Sequence, residues 1–207
     1  MSETPVEEEW AQPLLTFLTV VEGPLDWMLV GSAATRLHGV DLVPGDVDVL
    51  IHPDATDAAF AQGCRALAAF AARGPAVRGL EDFVSTQEHP LVASEDGTWL
   101  FGRWMIAGRK LEVARIRSAT PAGLLTETLG PAVWESRQHI EWHRFDVPVV
   151  PLEVQYATCR LRGNDARARE VGQRLHQRGH DADLLARALA DRGLADRGLD
   201  AGAPDPT

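Results

Sequence analysis

Two aspartates separated by a single residue, Asp46 and Asp48, are the clearest candidates for chemistry in this chain. They belong to the apolar run Asp46–Ile51, whose alternation predicts a β-strand with both carboxylates on one face and Val47 and Val49 on the other. Two carboxylates roughly 7 Å apart along a strand repel each other unless they share a proton or bind a cation. Oxygen ligands favour Mg²⁺ or Mn²⁺ over zinc. The pair therefore predicts a divalent-metal site.

A glycine and a serine, Gly31 and Ser32, follow an earlier apolar run. Trp27–Val30 is typical of a buried strand, and Ser32 can cap a short helix after it because its hydroxyl can accept from a backbone N–H. Free N–H groups at a helix start favour anions, and glycine lets a phosphate approach closely. Metal-binding carboxylates beside a phosphate cradle suggest phosphoryl or nucleotidyl transfer.

These motifs occur in a characteristic order and spacing. Gly31-Ser32, thirteen intervening residues and then Asp46-x-Asp48 resembles the signature of the nucleotidyltransferase superfamily with the DNA-polymerase-beta-like fold. The superfamily also carries a third carboxylate on a later strand, and Glu112 has the right apolar flanks for that position. The resemblance implies transfer of a nucleoside monophosphate from a nucleoside triphosphate, such as ATP, to an acceptor.

The resemblance also assigns roles to these residues. Asp46 and Asp48 are expected to bind two Mg²⁺ (or Mn²⁺) ions, and Glu112 to join one of them and to act as base toward an acceptor hydroxyl. Gly31 and Ser32 are expected to hold the β- and γ-phosphates of the triphosphate. The attack on the α-phosphorus would then be in line with the departing pyrophosphate.

Arg36 is a further candidate for nucleotide binding, because it lies one helical turn beyond the Gly-Ser bend. Members of the superfamily often place an arginine three residues after the serine, where this chain has Thr35. A surface position for Arg36 therefore stays open. Lys110, the only lysine of the chain, could meet the triphosphate or the acceptor, or be solvated.

The order of predicted elements gives the fold. We expect an α/β (α+β) fold: a nucleotidyltransferase-like mixed sheet with flanking helices, plus a C-terminal helical region. Antiparallel hairpins are predicted over residues 98–116 and 138–150, and a crossover helix over 56–73. An N-terminal helix with an acidic start is predicted over residues 1–23, and the catalytic domain over residues 24–150. The C-terminal helices are predicted over residues 151–197, and a disordered tail over residues 198–207.

The C-terminal helices are predicted over residues 152–162, 164–177 and 183–192. Pro151-Leu152-Glu153 resembles the start of a helix that follows the sheet domain in the superfamily, although the family commonly has a lysine near Gln155. This region also carries a cluster of arginines, which we call the arginine patch: Arg160, Arg162, Arg167, Arg169, Arg174 and Arg178. The patch could contact an acceptor RNA or could be an ordinary solvated face.

The bulk composition bounds the remaining possibilities. The 207 residues are 45% hydrophobic and 24% charged, with a formal net charge of −10. This charge disfavours nonspecific nucleic-acid binding, so nucleic acid is expected only at the arginine patch. No membrane span or basic leader is visible, and Cys64 and Cys159 are expected to be reduced thiols, so we predict a cytoplasmic protein.

Several alternatives stay open at this level. The acceptor could be a small molecule such as an antibiotic, a tRNA end, or a side chain of a partner protein. The chain could instead be a non-catalytic or antitoxin-like nucleotide-binding module on the same scaffold. An Asp-x-Asp motif also occurs in metal-dependent glycosyltransferases, and His139 and His143 have metal-like spacing only if their segment is helical.

Overall fold

The computed structural model describes residues 9–21, 25–56, 58–59, 61–62, 91–94, 97–118, 132–195 and 198–199. The chain divides into two compact units, Met1–Ala33 with Val43–Thr120 and Ala34–Leu42 with Pro121–Thr207. The segment boundaries at residues 23, 150 and 197 follow changes of sequence pattern and stay predictions. Most of the crossover helix predicted over 56–73, the start of the N-terminal helix and most of the tail lie outside the described residues.

The first unit contains a mixed β-sheet. Its elements are α1 (Gln12–Val20), β1 (Trp27–Val30), β2 (Asp46–Ile51), β3 (Leu91–Ser94), β4 (Gly97–Ile106) and β5 (Arg109–Ser118). The strand order is β3-β4-β5-β2-β1, in which β2 runs parallel to β5 and the other neighbours are antiparallel. Helix α2 (Gly31–Leu37) begins in this unit and ends in the second.

The hairpin predicted over residues 98–116 is present as β4 and β5. A two-residue turn, Ala107 and Gly108, joins the strands, and both residues have positive φ, 52° and 74°. Such a turn matches the right-handed twist of the strands. It places Ile106 opposite Arg109 and so determines all the following cross-strand pairs. The turn therefore sets the register of the whole hairpin.

Alternation along the strands separates a core face from a polar face. Val47 and Val49 of β2 are buried, whereas Asp46 and Asp48, which alternate with them, are half-buried. Helix α1 packs against β4 and β5, and its Phe17 is 1% exposed. The two aspartates are thus held on a rigid strand whose other face is anchored by apolar packing.

The second unit is a hairpin followed by helices. Its elements are α3 (Ala132–Glu135), β6 (Gln138–Trp142), β7 (Phe145–Val149), α4 (Leu152–Leu161), α5 (Asp165–Arg178) and α6 (Ala182–Ala190). Asn164 and Asp181 cap the last two helices by accepting from backbone N–H groups at 3.3 and 2.9 Å. The predicted fold class, a mixed sheet with flanking helices and C-terminal helices, is confirmed.

His139 lies on strand β6, whereas His143 lies in the turn after it with a φ of 54°. His139 faces Asp146 of the neighbouring strand, with Nδ1 2.8 Å from Oδ2. Across the described ranges, no three His, Cys, Asp or Glu side chains are placed to hold one metal ion. The zinc alternative required these histidines to share a helix, and they do not. In the same ranges no helix is long and apolar enough to cross a bilayer.

A polar network in the second unit surrounds the buried side chain of His38. Its Nε2 donates to the carbonyl oxygen of Val150 at 2.8 Å, and its Nδ1 accepts from Nη1 of Arg178 at 3.2 Å. The other nitrogen, Nη2, lies 3.4 Å from Oε2 of Glu153, and Nε of Arg174 donates to the His38 carbonyl at 3.0 Å. With one ring nitrogen accepting and the other donating, the network requires a neutral imidazole.

This network predicts a specific acid sensitivity. Burial lowers the pKa of His38 from 6.5 to about 4, and the positive charges of Arg178 and Arg174 add to the effect. The unfolded chain binds this proton near pH 6.5 and the folded chain does not, so the stabilisation is complete above pH 6.5 and falls progressively toward pH 4. The full loss corresponds to about 3 kcal/mol. Denaturant unfolding of wild type and His38→Gln across this range measures it, and a wild-type pH slope that survives the substitution contradicts the assignment.

Candidate functional site

The Gly-Ser bend and the aspartate pair lie side by side in the first unit. Val30, the last residue of β1, is paired with Asp48, so the bend that follows reaches the end of β2 where the aspartates stand. The hydroxyl of Ser32 lies 3.5 Å from Oδ1 and 3.4 Å from the carbonyl oxygen of Asp46. The structure thus brings together the two halves of the site predicted from the sequence.

Ser32 makes a tertiary contact that the sequence does not predict. It lies within the first turn of α2, which begins at Gly31, and its side chain is buried with 5% exposure. The described hydrogen bonds of its hydroxyl go to Asp46 across 14 residues of chain. Ser32 therefore links the helix to the aspartate strand, and the capping role stays a prediction.

Gly31 is in close contact with the second aspartate. Its φ of +66° lies in the left-handed region, and a Cβ built on it would stand 2.6 Å from Oδ2 of Asp48. A side chain at this position would combine backbone strain with displacement of the carboxylate. The sequence predicted glycine here for close approach of a phosphate, and the structure shows that the protein's own carboxylate also requires it.

The third carboxylate lies on the strand next to the aspartates. Because β5 runs parallel to β2, Glu112 is directly paired with Asp48, and Lys110 with Asp46. Leu111 is fully buried on the opposite face, so Glu112 and Lys110 share the face of the aspartates. The expectation that Glu112 neighbours the aspartate pair in the sheet is confirmed by this register.

The carboxylate of Glu112 nevertheless forms an ion pair with an arginine that the sequence did not predict as its partner. Arg103 lies opposite Glu112 on β4, and its Nε and Nη2 each stand 2.6 Å from the same oxygen, Oε1. The side chains are 30% and 21% exposed. Since β5 lies between β4 and β2, Arg103 and Asp48 lie on opposite sides of Glu112. Among the described residues, no three carboxylate, histidine or cysteine side chains are placed to hold one metal ion, so Glu112 does not complete a metal site with Asp46 and Asp48 as arranged.

The aspartate pair by itself has the right chemistry for a divalent ion. Mg²⁺ is usually held by one or two carboxylates together with substrate phosphates and water, so Asp46 and Asp48 can supply the protein's share. Glu112, whose Oε1 is bonded to Arg103, would have to change its position to join them. Metal binding by the aspartate pair, and binding of two ions by all three carboxylates, therefore stay predictions.

The other candidate residues have partners in the second unit. Nη1 of Arg36 contacts Oδ1 of Asp41 at 2.9 Å, and a role for Arg36 in nucleotide binding stays a prediction. Within the arginine patch, Arg174 and Arg178 bond into the His38 network, and Arg160 donates to the Tyr156 hydroxyl at 3.2 Å. These contacts engage part of the patch, while three of its members are exposed, and contact with RNA stays a prediction: Arg162, Arg169 and Arg178.

The buried arginine of β5 lies on the wrong face to meet a nucleotide at the aspartates. Arg115 is 4% exposed, and its Nη1 donates to the carbonyl oxygen of Ala55 at 2.5 Å. Its odd position along β5 places it with Leu111 and Val113 on the core face. Arg115 therefore anchors the segment that follows β2.

Comparison with family models finds no match, and comparison with curated proteins finds none. Among solved structures, the chain is similar to the crystal structure of a candidate nucleotidyltransferase from Thermotoga maritima. The sequence identity is 19%, the TM-score is 0.46, and the alignment covers 79% of this chain and 90% of that one. A likeness this distant assigns no function, so the proposal below depends on the geometry of the site.

Proposed function

We propose that this protein is a nucleotidyltransferase that moves a nucleoside monophosphate from a nucleoside triphosphate to an acceptor. The observation that supports this most directly is the contact between the Gly-Ser bend and the aspartate strand. Ser32 touches Asp46, and Gly31 abuts the carboxylate of Asp48. An anion-binding bend and a cation-binding carboxylate pair are the two parts that transfer from a triphosphate requires.

Each residue has a role in this proposal. Asp46 and Asp48 hold Mg²⁺ or Mn²⁺, and the backbone at Gly31 and Ser32 cradles the β- and γ-phosphates. A bound divalent ion would offset the negative charge of the phosphates, which lets an acceptor hydroxyl approach the α-phosphorus. Lys110 is paired with Asp46 in the sheet register and is suited to contact a phosphate oxygen.

A second candidate function is a nucleotide-binding module without catalysis. The observation that favours it is the ion pair between Arg103 and Glu112, which satisfies the third carboxylate without any metal. In such a module the aspartates and the bend would still bind a metal–nucleotide complex, and no transfer would follow. Binding and turnover therefore have to be measured separately.

A thermal-shift panel of the four nucleoside triphosphates, each with and without Mg²⁺, tests the proposed site. A ligand at a hundred times its dissociation constant adds about 2.7 kcal/mol of apparent stability, so a Mg²⁺-dependent rise in Tm is expected for at least one triphosphate. The matching diphosphate and free Mg²⁺ serve as controls. A Tm that no triphosphate raises, with or without the ion, contradicts both candidate functions.

A further inference from the structure

The ion pair between Arg103 and Glu112 is unusual in its geometry. Two nitrogens of one guanidinium, Nε and Nη2, converge on a single carboxylate oxygen at 2.6 Å. Charge-assisted hydrogen bonds of this length are among the stronger polar contacts in proteins. The two residues are direct cross-strand partners, so the hairpin register holds them opposite each other. The backbone pairing of the hairpin therefore positions the two side chains for this contact.

Glu112 stands between two competing positive charges. On one side, β4 presents Arg103, and on the other side, β2 presents Asp48 and the ion proposed to bind there. Neighbouring strands lie about 4.8 Å apart, so a rotation about the side-chain bonds of a glutamate spans the difference. Because Asp46, Asp48 and Glu112 are not placed to hold one ion as arranged, Glu112 has to move toward β2 to reach it, and such a movement weakens its contact with Arg103.

We propose that Arg103 is a positioning residue that competes with the divalent cation for Glu112. With no cation bound, Arg103 keeps the third carboxylate away from the aspartate pair. Cation binding draws the Glu112 side chain toward β2 and releases Arg103. The positive charge of Arg103 then lies on the same face of the sheet as the substrate phosphates. This inference rests on the proposed function, because it requires an ion at Asp46 and Asp48.

Removing Arg103 should therefore tighten metal binding. We expect Arg103→Gln to lower the dissociation constant for Mn²⁺ by about tenfold, a coupling of ordinary size between linked sites. Free Mn²⁺ is measured by electron paramagnetic resonance during a titration without nucleotide. Arg103→Lys, which keeps the charge but loses the paired N–H donors, should fall between wild type and Arg103→Gln. It also provides a test if the glutamine variant is poorly folded.

The matched control is Arg109→Gln. Arg109 lies on the same hairpin and pairs with Glu9 at 3.8 Å, so this change removes an equal charge without touching Glu112. Mn²⁺ affinity should be unchanged in this variant. In a Glu112→Gln background, Arg103→Gln should not change the Mn²⁺ affinity further, because the carboxylate for which Arg103 and the cation compete is absent.

Each outcome separates this inference from the proposed function. If wild type binds Mn²⁺ and Arg103→Gln leaves the affinity unchanged or weaker, the competition is refuted while the site stands. A gain that persists in the Glu112→Gln background, or appears equally in Arg109→Gln, would show a general charge effect and also refute it. Failure of every variant, wild type included, to bind Mn²⁺ would overturn the ion site and this inference together.

Discussion

Replacing Asp48 by Asn is expected to reduce nucleotide transfer by roughly a thousandfold or more while the protein stays folded. Asp48 supplies half of the aspartate pair, and the amide that replaces it cannot carry the negative charge that a divalent ion needs. The substitution also removes a repulsion between neighbouring carboxylates, so the Tm without metal should be equal or slightly higher. Transfer is measured with a triphosphate labelled at the α-phosphate, and folding by thermal unfolding.

Asp54→Asn provides the control for this experiment. Asp54 lies just after the same strand with its side chain 93% exposed, so the change removes the same charge without touching the pair. Its transfer rate should match that of wild type. Wild-type turnover in both Asp46→Asn and Asp48→Asn would rule out the proposed role of the aspartate pair.

Replacing Gly31 by Ala is expected to destabilise the protein and to abolish Mg²⁺-dependent nucleotide binding. The alanine Cβ would stand 2.6 Å from Oδ2 of Asp48, and the residue would also keep a φ of +66°. Backbone strain of this kind costs about 1–2 kcal/mol, and the displaced carboxylate adds to it. Denaturant unfolding gives the stability, and calorimetric titration with triphosphate and Mg²⁺ gives the binding.

Gly108→Ala separates the two causes. Gly108 has a similar φ of +74°, but nothing lies within 4 Å of the position of its added Cβ. It should therefore lose stability through backbone strain alone and keep nucleotide binding. The double variant Gly31→Ala with Asp48→Gly should recover the part of the loss that comes from the clash. Equal losses in Gly31→Ala and Gly108→Ala, with binding intact in both, would refute the steric account.

The faces of the strands could be predicted from the sequence because alternation is a local property. Val47 between Asp46 and Asp48, and Leu111 beside Glu112, assign the carboxylates to one face without knowledge of the rest of the chain. The pairing of β2 with β5 came from the family resemblance, since no local rule specifies which strands become neighbours. The register that places Glu112 beside Asp48 agrees with it.

The partner of Glu112 was within reach of sequence reasoning but was missed. A two-residue turn at Ala107 and Gly108 sets Ile106 opposite Arg109, and counting back along both strands places Arg103 opposite Glu112. A hairpin predicted only as residues 98–116, without its turn, leaves the register undefined. A one-residue shift would have moved the arginine to the other face.

The network around His38 could not be read from the sequence. His38 and Arg178 are separated by 140 residues, and their contact depends on how α5 packs, which no local pattern encodes. The sequence predicted Arg174 and Arg178 as members of a surface patch because helical periodicity does not distinguish a solvated arginine from one that bonds a buried carbonyl. The contact of Ser32 with Asp46 likewise joins two elements, so no local pattern predicts it.

The most direct test of the central claim is the location of a bound divalent ion beside the Gly-Ser bend. Mn²⁺ broadens the nuclear magnetic resonance signals of nearby backbone amides, and can be titrated with a non-hydrolysable triphosphate present. We predict that the amides of residues 31–32 and 46–48 broaden first and that Asp48→Asn abolishes this broadening. Broadening centred elsewhere, or signals at these residues that Mn²⁺ leaves sharp while nucleotide binds, would contradict the proposed site.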